Sequence, residues 1–273
     1  MLNLAICQEI FVNDTFEMTC KKASRLGYRG LELAPFVFAK DVRTLDEKFW
    51  NDTREIAERY ELKLVAFHWL LRSPEGFSIT SPSPEIREDT RDFFRALIDI
   101  AHILEIPLMV FGSPKQRDIK PGWNPEKARD RGIQFFIDIA EITSKKGITI
   151  AFEPLGTKVT NFGATFLDAM DLIKKVDHPN FRLHLDVKAM HGDPIPVNEQ
   201  ISMAKDLLAH VHVNDTNLLG PGMGDVDLLP IIKAFKGINY NGWYSVETFR
   251  DDVDPVKIAS ESIGYLKEVM TKS

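Results

Sequence analysis

Short apolar segments alternate with longer amphipathic segments along nearly all of the 273-residue chain, and this alternation constrains the fold more than any other feature. Each apolar segment has the length of a β-strand. The eight predicted strands are Leu2–Cys7, Gly30–Ala34, Lys63–His68, Pro107–Phe111, Ile148–Phe152, Phe181–Leu185, Ala209–Val213 and Trp243–Val246. The segments between them are long enough to be helices.

The intervening segments carry helical patterns and helix-boundary residues. Apolar residues recur at three-to-four spacing in Phe93–Ile103 and Gly132–Thr143. Ser83 followed by Pro84 is typical of a helix start, and Gly147 after two lysines is typical of a helix end. Eight strand–helix pairs leave about 34 residues for each pair, a normal size for a βα unit. We therefore predict an α/β fold, a (β/α)₈ TIM barrel that forms a single domain over residues 1–273.

An open, doubly wound sheet of similar size is the alternative architecture. A dinucleotide-binding sheet of that kind carries a glycine-rich G-x-G-x-x-G fingerprint after its first strand. No such fingerprint follows Cys7. The closed barrel is therefore favoured.

The overall charge and the cysteine content restrict the classes of partner. The formal net charge is −6, from 34 basic and 40 acidic residues, and this opposes a general nucleic-acid-binding surface. Two cysteines, Cys7 and Cys20, suit a reducing compartment rather than a disulfide framework. No segment approaches the roughly 18 apolar residues of a membrane span. We expect a cytoplasmic protein that has neither a nucleic-acid nor a membrane partner.

Metal-capable side chains occupy the ends of the last four predicted strands. They are Glu153, Asp186, His212 and Glu247, separated by 33, 26 and 35 residues, so each gap is close to one βα unit. The carboxyl ends of the strands form the active-site rim of such a barrel, and the alternation along each strand places all four residues on the inward face. Mixed oxygen and nitrogen donors predict one divalent cation, with Mn²⁺ favoured and Mg²⁺, Co²⁺ or Zn²⁺ as alternatives.

Motifs around these strand ends resemble those of the xylose-isomerase-like barrel superfamily, in its sugar phosphate isomerase/epimerase branch. The segments that carry the resemblance are Gly30–Pro35, Phe67–Leu71, Phe111–Arg117, Phe152–Leu155, Leu183–Met190, His212–Asp215, Gly220–Asp227 and Trp243–Phe249. The resemblance implies that the same four residues bind one divalent cation, in agreement with their spacing. It also implies a small-molecule sugar or sugar phosphate as the partner, and a homo-oligomer.

A cation at this rim predicts proton-transfer chemistry beside a carbonyl. It would polarise a ketose and stabilise the enediolate formed when the neighbouring C–H loses its proton. Glu153 and Glu247, from the fifth and eighth strands, are placed to be the acid/base pair as well as ligands. In the epimerases that the chain resembles, the matching glutamates have both roles. We predict a metal-dependent sugar isomerase or epimerase of carbohydrate metabolism.

Five further residues are candidates for substrate contact: His68, Lys188, His191, Glu32 and Arg117. Glu32 and His68 lie near the ends of the second and third predicted strands. Lys188 and His191 follow Asp186 by two and five residues. Arg117 lies in a loop after the fourth strand, where a turn and several cations could hold an anionic group. For each of the five residues, the alternative to substrate contact is a structural role. The side chain would then be either hydrogen-bonded to other protein groups inside the barrel or a charge exposed to solvent. Phe36, Trp69 and Phe77 are candidates for an aromatic wall of the pocket.

The chain departs from the better-known ketose 3-epimerases at three substrate-binding positions. It has Ala189, Leu218 and Val159 where those enzymes have a histidine, an arginine and a glutamate. Activity on a free hexulose is therefore not implied. A keto-inositol dehydratase would use the same cation site and is the main alternative. A non-catalytic sugar-binding barrel and an endonuclease with three metal ions are further alternatives, although the extra histidines of the latter are missing.

Overall fold

Eight parallel strands close into a barrel in chain order in the computed structural model of the protein, which describes residues 3–273. The strands are β1 Leu4–Cys7, β2 Gly30–Leu33, β3 Lys63–Phe67, β4 Leu108–Phe111, β5 Thr149–Phe152, β6 Phe181–Asp186, β7 Leu208–Val213 and β8 Tyr244–Val246. Strand β1 closes the ring because it pairs with both neighbours, Ala5 lying opposite Gly30 and opposite Ser245. The predicted fold class is confirmed. The residue Leu2 of the first predicted strand lies outside the described residues.

Every strand is followed by at least one helix before the next strand begins. The helices are α1 Phe16–Leu26, α2 Pro35–Phe38, α3 Glu47–Arg59, α4 Pro84–Ile103, α5 Pro114–Arg117, α6 Pro125–Ser144, α7 Phe166–Val176, α8 Val187–His191, α9 Val197–Ala204, α10 Leu228–Gly237 and α11 Pro255–Lys272. Two short 3₁₀ turns are Gln8–Phe11 and Val42–Thr44. Within residues 3–273, no helix combines the length and the apolar sequence that a bilayer span requires.

Capping residues decide where the two longest predicted helices begin. The Ser83 hydroxyl accepts a hydrogen bond from the Ile86 backbone N–H at 3.3 Å, so α4 starts nine residues before the apolar pattern at Phe93. The Asn124 side chain caps α6 in the same way, at 2.9 Å from the Lys127 N–H. The predicted segments are therefore the C-terminal parts of two 20-residue helices.

The chain divides into two compact units. The first unit comprises residues up to Leu33, 52–65 and 184–273, and the second comprises 34–51 and 66–183. Of the four boundaries between the units, one directly follows β2 and the other three fall inside α3, β3 and β6. The prediction of one domain over residues 1–273 stays a prediction.

A cluster of phenylalanine rings forms the core of the second unit. Phe136 of α6 packs edge-on against Phe111 and Phe152, with ring centroids 4.8 and 5.5 Å away. Phe135 packs in the same manner on Phe94 of α4. All five rings are buried. The cluster fixes the last residues of β4 and β5 immediately before Gly112 and Glu153.

Three imidazole rings lie together in the first unit. The His184 ring meets the His212 ring edge-on with centroids 4.2 Å apart, and His210 lies 5.5 and 5.4 Å from these two rings. All three side chains are buried on β6 and β7. Polar groups thus replace the usual branched apolar side chains in this part of the barrel. Buried polar groups are costly unless they are paired, so their hydrogen-bond partners indicate their roles.

Candidate metal centre

The structure brings the four predicted ligand residues together. Glu153 and Glu247 directly follow β5 and β8, Asp186 ends β6, and His212 lies in β7. Each offers one donor atom, and the four donor atoms all lie within 4.8 Å of one another. The residues are 6 %, 1 %, 0 % and 5 % exposed, in the order Glu153, Asp186, His212 and Glu247. Three carboxylates and one imidazole therefore form a buried cluster.

The donor set fits a divalent cation. Burial, followed by the nearby carboxylate of Glu247, raises the pKa of Asp186 above its usual range. Like charges that are crowded away from water need a counter-charge. Three hard oxygen donors and one imidazole suit Mn²⁺, Mg²⁺ or Co²⁺, and also Zn²⁺.

The ring of His212 has a carboxylate on each side. Its Nδ1 lies 3.1 Å from Glu247 Oε2, and its Nε2 lies 2.9 Å from Glu32 Oε1. Burial alone would lower the pKa of His212, but the charges of Glu32 and Glu247 outweigh it and raise the pKa well above the usual range. The imidazole thus lies between two carboxylates, whose charges favour its protonated form.

Both carboxylate oxygens of Glu32 are held by imidazoles. Oε2 lies 2.8 Å from His210 Nε2, and Oε1 lies 2.9 Å from His212 Nε2. Burial would raise the pKa of Glu32, but the two histidines outweigh it and lower the pKa well below its usual range. The side chain is 0 % exposed. The observed contacts of Glu32 are thus with protein groups, and its contact with substrate stays a prediction.

Asn214 supports Asp186, although the sequence patterns did not single it out. Its Nδ2 donates to Asp186 Oδ2 at 2.5 Å, and its Oδ1 accepts from the Lys188 N–H at 2.9 Å. The Ala189 N–H donates to the other carboxylate oxygen at 2.7 Å. The sequence could have indicated Asn214 through its spacing from His212. It lies two residues after His212, and residues two apart along a strand point to the same face.

The carboxylate of Glu153 lies directly against Gly112 at the end of β4. A Cβ atom at position 112 would be 2.1 Å from Glu153 Oε2. A Cβ approach below 3.0 Å forces one of the two groups to move. Glycine is therefore the residue that leaves room for the carboxylate in this position.

Arg117 holds the backbone of Glu153 from inside the second unit. Its Nη1 donates to the Glu153 carbonyl at 2.8 Å, and its Cζ lies 4.7 Å from the centre of the Phe152 ring. The side chain is 0 % exposed, and burial lowers its pKa to about 10. The structure thus places Arg117 inside the protein rather than in a solvated loop. Its Nη2 has no hydrogen-bond partner among residues 3–273 and is the group left for the predicted contact with substrate.

The three remaining candidates for substrate contact lie in different surroundings. His68 is 2 % exposed directly after β3. It offers a donor atom to a second group, Cys7, Glu32, His68 and His212, whose donor atoms are also within 4.8 Å of one another. Lys188 Nζ lies 3.9 Å from the centre of the Phe249 ring. The His191 ring is exposed and lies 2.8 Å from the Val187 carbonyl of its own helix, so the structure keeps it out of both groups.

The family of the chain follows from a match over most of its length. Residues 20–269 match the family model described as a xylose isomerase-like TIM barrel. The chain belongs to this family.

Proteins named as sugar epimerases or isomerases resemble the chain over most of its length. The D-psicose 3-epimerase of Ruminiclostridium cellulolyticum is 25% identical over 84% of this chain and 76% of its own. The inosose isomerase of Bacillus velezensis is 27% identical over 84% of each chain. The crystal structure of the D-allulose 3-epimerase from Methylomonas sp. with D-allulose has a TM-score of 0.85 and 21% identity, and covers 98% of this chain and 96% of its own. The expectation of an isomerase-class enzyme is confirmed.

This xylose isomerase-like barrel also has a large cavity in its second unit. The cavity measures about 1210 Å³, and its lining includes the three aromatic residues predicted to wall a pocket, Phe36, Trp69 and Phe77. The Arg72 guanidinium lies 4.8 Å from the ring centres of both Phe36 and Trp69. Ser113, which directly follows Gly112, also lines the cavity. Four cations and two acidic residues stand in the lining: Lys40, Arg72, Lys115, Lys120, Glu75 and Asp118.

Proposed function

We propose that this protein is a divalent-metal-dependent epimerase or isomerase of a ketose or ketose phosphate. The observation that carries the proposal is the convergence of Glu153, Asp186, His212 and Glu247, whose donor atoms lie within 4.8 Å of one another. Relatives named as epimerases of D-psicose and L-ribulose support the substrate class. Mn²⁺ is the cation that we expect, because the site combines three carboxylates with one imidazole.

The four residues would hold the cation, and two of them would also move protons. A bound divalent cation polarises a carbonyl and stabilises negative charge on the adjacent oxygens. One glutamate, Glu153 or Glu247, removes the proton from the carbon beside the carbonyl, which leaves an enediolate. The other, in its protonated form, returns a proton to the same carbon from the opposite face. The configuration of that carbon is inverted, and no atom is gained or lost.

The surroundings of the two glutamates suit these roles. The Glu153 side chain lies against Gly112, which has no side chain to restrict it, while its carbonyl is fixed by Arg117. The Glu247 carboxylate instead lies 3.1 Å from an imidazole nitrogen, His212 Nδ1. The two carboxyl groups therefore have unequal environments, as an acid and a base require.

The cavity of the second unit is a candidate binding site for a sugar or sugar phosphate. Its aromatic rings can cover the apolar face of a sugar, and the excess of cations favours an anionic end such as a phosphate. Lys188, His68 and Arg117 Nη2 remain candidates for hydrogen bonds to substrate oxygens. A cytoplasmic location is part of the same proposal.

A keto-inositol is the second candidate substrate. The specific observation in its favour is the inosose isomerase, 27% identical over 84% of each chain. The same abstraction of a proton beside a carbonyl would serve an isomerase or a dehydratase, since only the fate of the neighbouring hydroxyl differs. Product analysis by NMR distinguishes the two, because a dehydratase releases water and an isomerase conserves the formula.

Metal analysis is the first experiment. Mass spectrometry of the purified protein should find about one equivalent of Mn, Co, Mg or Zn per chain, and the Asp186→Asn variant should lose it. Ketoses, ketose phosphates and keto-inositols are then screened for uptake of deuterium from heavy water. Protein that binds no cation after incubation with each metal would contradict the mechanism. Three equivalents of zinc would favour the endonuclease alternative, and a cation without any exchange would favour a sugar-binding barrel.

A further inference from the structure

Glu32 is a buried carboxylate that contacts the candidate cation ligand His212. It lies on β2, in the first unit, and is 0 % exposed. Its two oxygens lie 2.8 Å from His210 Nε2 and 2.9 Å from His212 Nε2. Both partners are imidazoles of β7. One carboxylate therefore fixes two rings of the same strand.

The two nitrogens of His212 face different partners. Nε2 is engaged by Glu32, and Nδ1 is directed at Glu247 Oε2, 3.1 Å away. An ionised carboxylate only accepts hydrogen bonds, so the ring must keep a proton on Nε2. Nδ1 is then the nitrogen that can present a lone pair to a cation held by Glu247.

We infer that Glu32 is a positioning residue, which fixes the tautomer and the orientation of His212 so that Nδ1 binds the cation. The inference rests on the proposed function, since it presupposes a cation at this site. Carboxylate–histidine–metal arrangements of this kind raise the basicity of the ligand and hold its ring in place. Glu32 thereby strengthens a site that it does not enter.

The neighbours of Glu32 show how the arrangement is held. His210 engages the second oxygen of Glu32, so the carboxylate cannot rotate away from His212 without losing a second hydrogen bond. His184 meets the His212 ring edge-on at 4.2 Å and restricts the ring from another direction. The ring of His212 is therefore held both by hydrogen bonds and by packing.

The Glu32→Gln variant tests the inference, because it keeps the shape of the side chain and removes the obligatory acceptor. We expect the Mn²⁺ affinity, measured by isothermal titration, to fall about 10- to 100-fold. The matched control is Thr143→Val in α6, which removes a buried hydroxyl that is 0 % exposed and donates to the Ala140 carbonyl. Its Mn²⁺ affinity should equal that of the unchanged protein.

A spectroscopic measurement separates positioning from a purely structural role. In the Zn²⁺-loaded protein, long-range ¹H–¹⁵N NMR of His212 should show a protonated Nε2 and a metal-bound Nδ1. Glu32→Gln should shift or broaden these signals, and Thr143→Val should leave them unchanged. His210→Asn removes the second hydrogen bond of Glu32 and keeps the bond between Glu32 and His212, so it should weaken Mn²⁺ binding in the same direction and to a smaller extent. This variant keeps the inference testable if Glu32→Gln does not fold.

Three results would overturn the inference, and each is distinct from failure of the proposed function. Folded Glu32→Gln that binds Mn²⁺ within twofold of the unchanged protein removes the positioning role. Folded His210→Asn with unchanged Mn²⁺ affinity and unchanged His212 signals has the same effect. Two equivalents of cation, one of them lost in Glu32→Gln, would make Glu32 a ligand in the group that contains Cys7 and His68. Failure of the unchanged protein to bind any cation would instead remove the proposed function itself.

Discussion

The residues that follow β5 and those within β7 are supported in different ways. After β5, Arg117 donates to the backbone carbonyl of Glu153 and leaves the carboxylate to other contacts. In β7, Glu32 binds the His212 ring itself. The bond from Arg117 fixes the backbone from which the Glu153 side chain extends. The bond from Glu32 fixes the functional end of the His212 side chain, its ring. A residue that must move a proton benefits from the first arrangement, and a residue that only binds a cation benefits from the second.

Glu153→Gln tests the side chain that we expect to transfer a proton. The amide keeps an oxygen for the cation and cannot exchange a proton, so turnover should fall about 10²- to 10⁴-fold. The measurement is the rate of epimerisation and of deuterium uptake with the substrate that the screen identifies. Both proteins are compared at saturating cation, so that weaker binding by the amide does not contribute to the difference in rate. Retained turnover would mean that Glu153 is a ligand alone.

Gly112→Ala displaces the same carboxylate without changing it chemically. The new Cβ would lie 2.1 Å from Oε2, so the Glu153 side chain must move. A displacement of about 1 Å in a catalytic group costs about 10²-fold in rate, and we expect a loss of kcat of that order. Gly264→Ala in α11 is the matched control, because its Cβ meets nothing within 4 Å. Equal kcat values for the two variants would contradict the expected displacement.

Arg117→Met sharpens the distinction between the two supports. The variant loses the hydrogen bond to the Glu153 carbonyl but keeps an apolar side chain against Phe152. The free energy of unfolding should therefore fall by about 1–3 kcal/mol. Urea denaturation in the presence of a chelator measures this difference without a contribution from the cation. The loss of Mn²⁺ affinity should be smaller than in Glu32→Gln. An equal loss of Mn²⁺ affinity in the two variants would show that Arg117 and Glu32 contribute equally to cation binding.

Removal of the cation should destabilise the folded state by an amount similar to that expected for Arg117→Met. Binding stabilises the folded state by about 2.7 kcal/mol when the free cation is at one hundred times its Kd, which corresponds to about 5 °C in Tm for a chain of this size. Scanning calorimetry with and without chelator measures the difference. The Asp186→Asn variant should show no difference, and a full shift in that variant would place the stabilising cation elsewhere.

The fold and the convergence of the four candidate ligands were predictable because each depends on local periodicity. The strand ends at Phe152 and Val246 fix the positions of Glu153 and Glu247. From the end of the first strand onward, every predicted strand boundary lies within one residue of the observed boundary. Parity along β6 and β7 then places Asp186 and His212 on the same face as the other ligands. Such information lies within a few residues of each ligand.

The supporting contacts were not predictable because they depend on how the barrel closes. Glu32 meets His210 and His212 across 178 and 180 residues of sequence. Which strands face each other inside a barrel depends on tilt and stagger, which the sequence pattern does not report. Arg117 lies in the polar segment Lys115–Arg117 and resembles a solvated residue until the contacts with Phe152 and Thr160 are known.

The close approach of Gly112 to Glu153 also bears on directed evolution. A library randomised at position 112 would consist almost entirely of inactive clones, since every other residue introduces a Cβ into the space of the carboxylate. Variation at Phe36, Trp69 and Phe77 reshapes the cavity wall without that conflict. If the proposed sugar site is this cavity, these three positions are the ones to vary for altered sugar preference.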